Sequence, residues 1–342
     1  MWNLFGQPKA VDLLKSSVEQ KRLSHAYLFT GPAHIGKGTL ASSLAQAVNC
    51  AEEDSPCGVC VSCGRIASGT NSDVQIISLA PGAKEISIDQ IREVQHTASI
   101  KPYESKWRVF IIDGADRLSI EASNSLLKTL EEPPNNVLLI LTAVHRGQIM
   151  STILSRCQIL ELHPVATKTI ENGLVNQWGV DPEKAKHFSR FCNGAIGWAL
   201  MAYGDESVVE GRAEIIDRII ELGSAFISDR FAYAAHQASF FGQDKEAVFE
   251  TLSLWIGWWR DLLLVKQGCK ELVANIDRID MLEQLSDEYD VAQVAEFIKS
   301  LDLVVVNLHR NANPRLALEV LMLDIPKPHN ERRKEEAKTA SF

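Results

Sequence analysis

AYLFTGPAHIGKGT (Ala26–Thr39) decides the fold. Its first five residues have the all-apolar character of a strand buried on both faces. They run straight into Gly31-Pro-Ala-His-Ile-Gly36-Lys37-Gly38-Thr39, after which the pattern turns helical. A strand, a GxxxxGK loop and a helix cradle phosphate: loop N–H groups converge, the lysine reaches the terminal phosphates, and the helix dipole favours negative charge. The alternative is a chance glycine turn, and the flanking strand and helix weigh against it.

Outward from this loop, apolar runs at Val74–Ser78, Arg108–Ile112, Val137–Thr142 and Gln158–Leu162 predict further strands. Between them lie helical patterns over Lys37–Val48, Ile88–Ser99 and Ser119–Glu131, the last stopped by Pro133 and Pro134. Strands alternating with helices predict an α/β domain over 1–165, with a parallel sheet covered on both faces. From Thr167 to about Ile325 the pattern is helical throughout, which predicts an all-α remainder. The end of the chain, 327–342, is charged and without an apolar period, and reads as a disordered tail.

The 342 residues suit two or three domains, and 46% hydrophobic with 23% charged residues is globular usage. No apolar run approaches the roughly 20 residues of a membrane helix, and the start lacks a secretory pattern, so a cytoplasmic protein with no membrane contact is expected. A net charge of -9 argues against whole-surface attraction to DNA, so nucleic acid would be met locally or through a partner.

Two parts of a hydrolytic P-loop site are missing. The position after Lys37 normally supplies a hydroxyl to magnesium and is Gly38; Thr39 lies about 100° further round the helix. RVFIIDGAD brings a strand to Asp113, where a magnesium-managing acid belongs, but Gly114 stands where a water-polarising Glu is usual. Gly31, Gly36, Lys37, Thr39 and Asp113 thus outline a degenerate nucleotide site, poorly equipped for Mg-ATP. Asp116 reads as an N-terminal acid of a short helix.

Cys50, Cys57, Cys60 and Cys63 are spaced Cys-x6-Cys-x2-Cys-x2-Cys. Four thiolates fit a closed, structural zinc site better than the two alternatives, an iron–sulfur cluster of different spacing or thiols without metal. Cys157, Cys192 and Cys269 read as buried apolar residues. Trp255, Trp258 and Trp259 fall at helical spacings and favour core or interface packing over base stacking. Lys101, Lys106, Arg108 and Arg117 are equally readable as a DNA-facing group or as solvated charge.

HAYLFTGP (His25–Pro32), IIDGADRL (Ile111–Leu118), NSLLKTLEEPP (Asn124–Pro134) and STILSRC (Ser151–Cys157), in this order, resemble the bacterial DNA polymerase III clamp-loader subunits of the AAA+ class. Trp258–Gly268 and Asn311–Leu323 resemble that family's collar, so the resemblance covers about residues 3 to 325. It implies a RecA-like AAA+ domain (1–165) with an inserted zinc module (50–63), a helical lid (166–206) and a helical collar (207–326). The lid's sensing arginine would fall at Gly197, and the polar sensor ending the strand at Thr142–Ala143 looks displaced or weakened. The degenerate site looks like the delta-prime type and not the gamma/tau motor type.

The resemblance also implies a role for Arg156: an arginine finger entering a neighbouring subunit's ATP site. From the bare residues, a bridge from Arg156 to a nearby acid is an equal alternative. The implied setting is a ring of five with gamma/tau and delta subunits, meeting the sliding clamp and primer–template DNA as a complex. Two rival readings are an active gamma/tau-like ATPase and a zinc-dependent DNA-binding protein.

Overall fold

A computed structural model describes Trp2 and residues 4–328; the expected tail from 329 onward lies outside the described residues. The chain forms two compact units, one comprising the chain up to Gly173 with Gly194–Trp198, the other Leu174–Asn193 and the chain from Ala199 on.

The first unit is built on five parallel strands, β1 (Ala26–Thr30), β2 (Val74–Ile77), β3 (Arg108–Ile112), β4 (Val137–Ala143) and β5 (Gln158–Glu161), in the order β2-β3-β4-β1-β5. β1, β3 and β4 are buried along their whole length, as their unbroken apolar runs require. Successive side chains alternate between faces. Tyr27, Phe29, Val109, Ile111, Leu138 and Ile140 pack with α1 (Pro8–Glu19) and α2 (Lys37–Asn49). Leu28, Phe110, Ile112, Leu139 and Leu141 face the other way, onto the helices between β2 and β5.

Those helices are α4 (Ile88–Ala98), α5 (Ile120–Glu131) and the short α6 (Ser151–Leu154), whereas α3 (Val61–Ala67), which carries Cys63, precedes β2 and places Ile66 in the core on the α2 side. Local chemistry sets the helix starts. Ser87 and Gln90 form a reciprocal capping box on α4, and Ser119 caps α5 by accepting from the Ala122 N–H. The register aligns Phe29 with Thr142 and Ile112 with Leu141. The phosphate loop, Asp113 and Thr142 therefore emerge at one edge of the sheet, beyond the strands' carboxyl ends, where open α/β sheets bind ligands.

After β5 the described residues contain helices only: α7 (Thr167–Trp178), α8 (Pro182–Phe191), α9 (Ile196–Gly204), α10 (Ser207–Ser224), α11 (Ile227–Phe241), α12 (Lys245–Lys266), α13 (Ile279–Ser286), α14 (Val291–His309) and α15 (Pro314–Asp324), with two short 3-10 turns before α13. The second unit's core is led by three tryptophans on α12. Trp255, Trp258 and Trp259 are buried, and Trp259 meets Phe297 of α14 edge-on at 5.2 Å. They are core residues, as their spacing favours.

Candidate functional site

At the sheet edge the loop has the expected form, with Gly36 capping α2 in a left-handed conformation. Lys37 is turned back on the loop: Nζ donates to the carbonyls of Gly31 and Pro32, each at 2.7 Å. Asp113 is exposed at the end of β3 and accepts from the Thr142 hydroxyl at 2.6 Å. That hydroxyl in turn accepts from the Gly114 N–H at 3.0 Å. The polar residue closing β4 is therefore bonded to the acid at the end of β3. The β3–β4 register was the signal that linked it to Asp113. Thr39 is exposed on the first turn of α2.

The three glycines differ in what the backbone around them allows. A Cβ at Gly38 would meet nothing within 4 Å, so a hydroxyl-bearing residue has room there. Gly114 sits at φ +82°, in the left-handed region that a Glu occupies only under strain. A Cβ at Gly197 would lie 2.6 Å from the His34 backbone oxygen, to which the Gly197 N–H already donates at 2.9 Å. No side chain enters at Gly197 while that bond exists. His34 belongs to the phosphate loop, so the backbone at Gly197 is closed onto the loop itself.

Arg156 follows α6 with 34% of its side chain exposed. Its guanidinium pairs with Glu131 at 2.7 Å and donates to the Thr152 carbonyl at 2.9 Å and the Ser155 hydroxyl at 3.1 Å. The acid bridge is thus the resting arrangement of Arg156. Between partly exposed groups such a pair is worth about 1 kcal/mol at most, and a stronger anion displaces it readily.

The four cysteines converge. Their sulfurs all lie within 4.8 Å of one another, Cys50 and Cys60 at 4.0 Å. A tetrahedral ion with metal–sulfur bonds of about 2.3 Å needs sulfurs about 3.8 Å apart, so the arrangement fits. Three of the sulfurs also accept from a backbone N–H: Cys50 from Cys57 at 3.5 Å, Cys57 from Cys60 at 3.2 Å and Cys60 from Cys63 at 3.5 Å. The amides of Cys63 and Ala51 bring the Cys60 thiol down to about 6, whereas burial pushes Cys63 up to about 12. Thiolate-stabilising donors on three of four converging thiols suit a cation, and these four residues could hold a structural metal ion.

The other sequence candidates divide. Cys192 is buried, but Cys157 and Cys269 are only partly so. Arg108 is not a surface charge, because it is buried in an ion pair with Asp73 at 2.8 Å. It therefore leaves the group once readable as facing DNA. That pair went unseen in the sequence, where Asp73 is a lone acid before β2.

Two family models match the chain: one described as DNA polymerase III, delta subunit, over residues 6–166, and one described as the C-terminal part of that subunit, over residues 224–327. DNA polymerase III subunit delta' of Bacillus subtilis (strain 168) is 31% identical over 318 residues, covering 93% of this chain and 95% of that protein. Subunit tau of the same organism is 28% identical over 94% of this chain and 61% of its own length. Among solved structures, a gamma subunit-related protein of Thermotoga maritima aligns over 91% of this chain and 98% of its own, at 14% identity and a TM-score of 0.42.

Proposed function

The chain belongs to the family of DNA polymerase III clamp-loader subunits, and on that premise we propose that it is a non-hydrolysing member of delta-prime type, lending Arg156 to a neighbour's ATP site. One observation carries the non-hydrolysing part. Gly38, Gly114 and Gly197 stand where a hydrolytic site needs a hydroxyl, a carboxylate and a guanidinium, and the backbone at Gly114 and Gly197 resists the missing side chains. Gly31, Gly36, Lys37, Thr39 and Asp113 remain as the relic of a nucleotide site. Lys37 is engaged with the loop's own carbonyls, and Asp113 with Thr142.

The role of Arg156 follows from charge. Phosphoryl transfer builds negative charge on the γ-phosphoryl oxygens, and a guanidinium arriving from a neighbouring subunit neutralises it. Arg156 rests on Glu131 in a weak exposed pair, so exchanging that carboxylate for a triphosphate costs little. In this reading 166–206 acts as a lid and 207–326 as a collar, which joins the chain to gamma/tau and delta subunits in a five-membered ring. The clamp and primer–template DNA are then met through that ring. Cys50, Cys57, Cys60 and Cys63 would hold Zn2+, which when bound cross-links the segment between α2 and α3. Among the described residues no helix is long and apolar enough to cross a membrane.

The test is co-purification with the other loader subunits, followed by ATPase assays of the assembled complex. Arg156→Ala is expected to leave assembly intact and to lower the clamp- and DNA-stimulated ATPase by about a thousandfold at the site it serves. Unchanged turnover would refute the finger. Mg-ATP hydrolysis by the isolated chain, abolished by Lys37→Ala, would favour a gamma/tau-like ATPase instead.

A further inference from the structure

The cysteine cluster is bonded to one particular loop, residues 99–107 between α4 and β3. α2 ends at Asn49, whose buried side chain takes both backbone groups of Trp107: the Trp107 N–H donates to Oδ1 at 2.8 Å, and Nδ2 donates to the Trp107 carbonyl at 3.0 Å. One residue further, the carbonyl of Cys50 accepts from Lys106 Nζ at 2.8 Å. Beyond the last cysteine, Arg65 of α3 pairs with Glu104 of the same loop. The loop is also held by Asp73, which accepts from the N–H groups of Tyr103, Glu104 and Ser105, and by Arg108, which donates to the Lys101 carbonyl at 3.2 Å. Tyr103 itself is 87% exposed.

The cluster has a firm half and a loose half. Cys50 and Cys63 are buried, and the Cys63 carbonyl accepts from Gln46 of α2 at 3.0 Å. Cys57 and Cys60 are only partly buried, in a segment where Ala51–Asp54, Val59 and Val61 are exposed. That segment has no apolar core of its own, so a bound ion is what would order it. Four thiolates and one divalent ion also leave a net negative charge, and Lys106 brings a cation to its border.

We propose that Lys106 is a positioning residue for the metal, and that the metal-loaded cluster clasps the loop 99–107 to the end of α2 through Cys50–Lys106 and Asn49–Trp107. The proposal rests on the four-thiolate reading of the cluster. An ion that fixes the Cys50 backbone fixes the acceptor for Lys106. Conversely, Lys106 holds a ligand's peptide and offsets the charge of the site, the role that outer partners play around metal centres.

The experiment uses the full chain with Zn2+ or Co2+ as the probe. Zn2+ affinity is measured by competition with a chromophoric chelator, and site geometry by the thiolate-to-Co2+ absorption band. Lys106→Met, which keeps the stem and loses the charge, is expected to weaken Zn2+ by about 10- to 100-fold, and Lys106→Arg to restore most of the loss. In the unaltered chain, removing Zn2+ is expected to speed hydrogen exchange at the Trp107 amide, while amides of β3 and β4 keep their protection. Unaltered Zn2+ affinity in Lys106→Met, or Trp107 exchange indifferent to the ion, would overturn the clasp. A chain that takes up neither ion would overturn the four-thiolate reading together with it.

Discussion

At Gly197 one added carbon would lie 2.6 Å from a backbone oxygen of the phosphate loop, while at Gly38 the same carbon would touch nothing. Opposite outcomes follow for substitutions that both look like repairs. Gly38→Thr is expected to leave the urea midpoint unchanged within about 0.5 kcal/mol, since the site is exposed and Thr is no worse than Gly in a helix. It is not expected to produce Mg-ATP turnover, because Gly114 still supplies no carboxylate. Gly197→Arg is expected to destabilise the chain by about 2 kcal/mol or more, and Gly197→Ala by as much, since the clash is with backbone and owes nothing to charge. A stable Gly197→Arg chain that binds ATP would refute this reading. The three glycine letters were legible in the sequence as missing parts. The backbone that keeps two of them glycine was not, because left-handed torsions and a carbonyl neighbour leave no trace in composition.

One buried carboxylate, Asp73, holds three successive amides of the loop between α4 and β3. Asp73 is fully buried, which by itself raises a carboxyl's pKa. The N–H groups of Tyr103, Glu104 and Ser105, with the Arg108 guanidinium, outweigh burial and hold it below the ordinary range. A carboxyl depressed by folding stabilises the fold above its unfolded value, about 3.9, and that contribution is lost as the pH falls through the folded value. The unaltered chain should therefore lose stability below about pH 4. Asp73→Asn should be less stable at pH 7 by about 3–5 kcal/mol, because it strands Arg108, and flatter through the acid range. Urea midpoints at pH 3 to 7 check both. At this scale the sequence read the scaffold well: the three helices and five strands expected around the phosphate loop fall within a residue or two of their observed bounds. The polar contacts that lock loops onto it were illegible, since Asp73 and Arg108 are 35 positions apart and each letter alone suits a surface. Arg156 and Glu131 show the same limit, each readable but not as a pair.

Across the whole molecule, the separate core of each unit lets the proposed tasks be pulled apart. The second unit is organised around Trp255, Trp258 and Trp259, with Phe297 and Tyr289 against Trp259, whereas the cysteine cluster belongs wholly to the first. If the collar carries membership of the loader, damage to the tryptophan core should remove the chain from the complex without emptying the metal site. Trp255→Ala removes a fully buried aromatic ring and should cost that unit about 3–5 kcal/mol. The expected result is loss of co-purification with gamma/tau and delta subunits, with zinc still at about one ion per chain and the Asp73-dependent acid transition unchanged. Retained assembly despite a measured loss of that unit's stability would move the interface out of the collar. Loss of zinc along with assembly would mean that the two cores do not fold independently. The net charge of -9 makes the assembly outcome the informative one, because whole-surface attraction to DNA is disfavoured in a chain this acidic and the proposed role runs through partners.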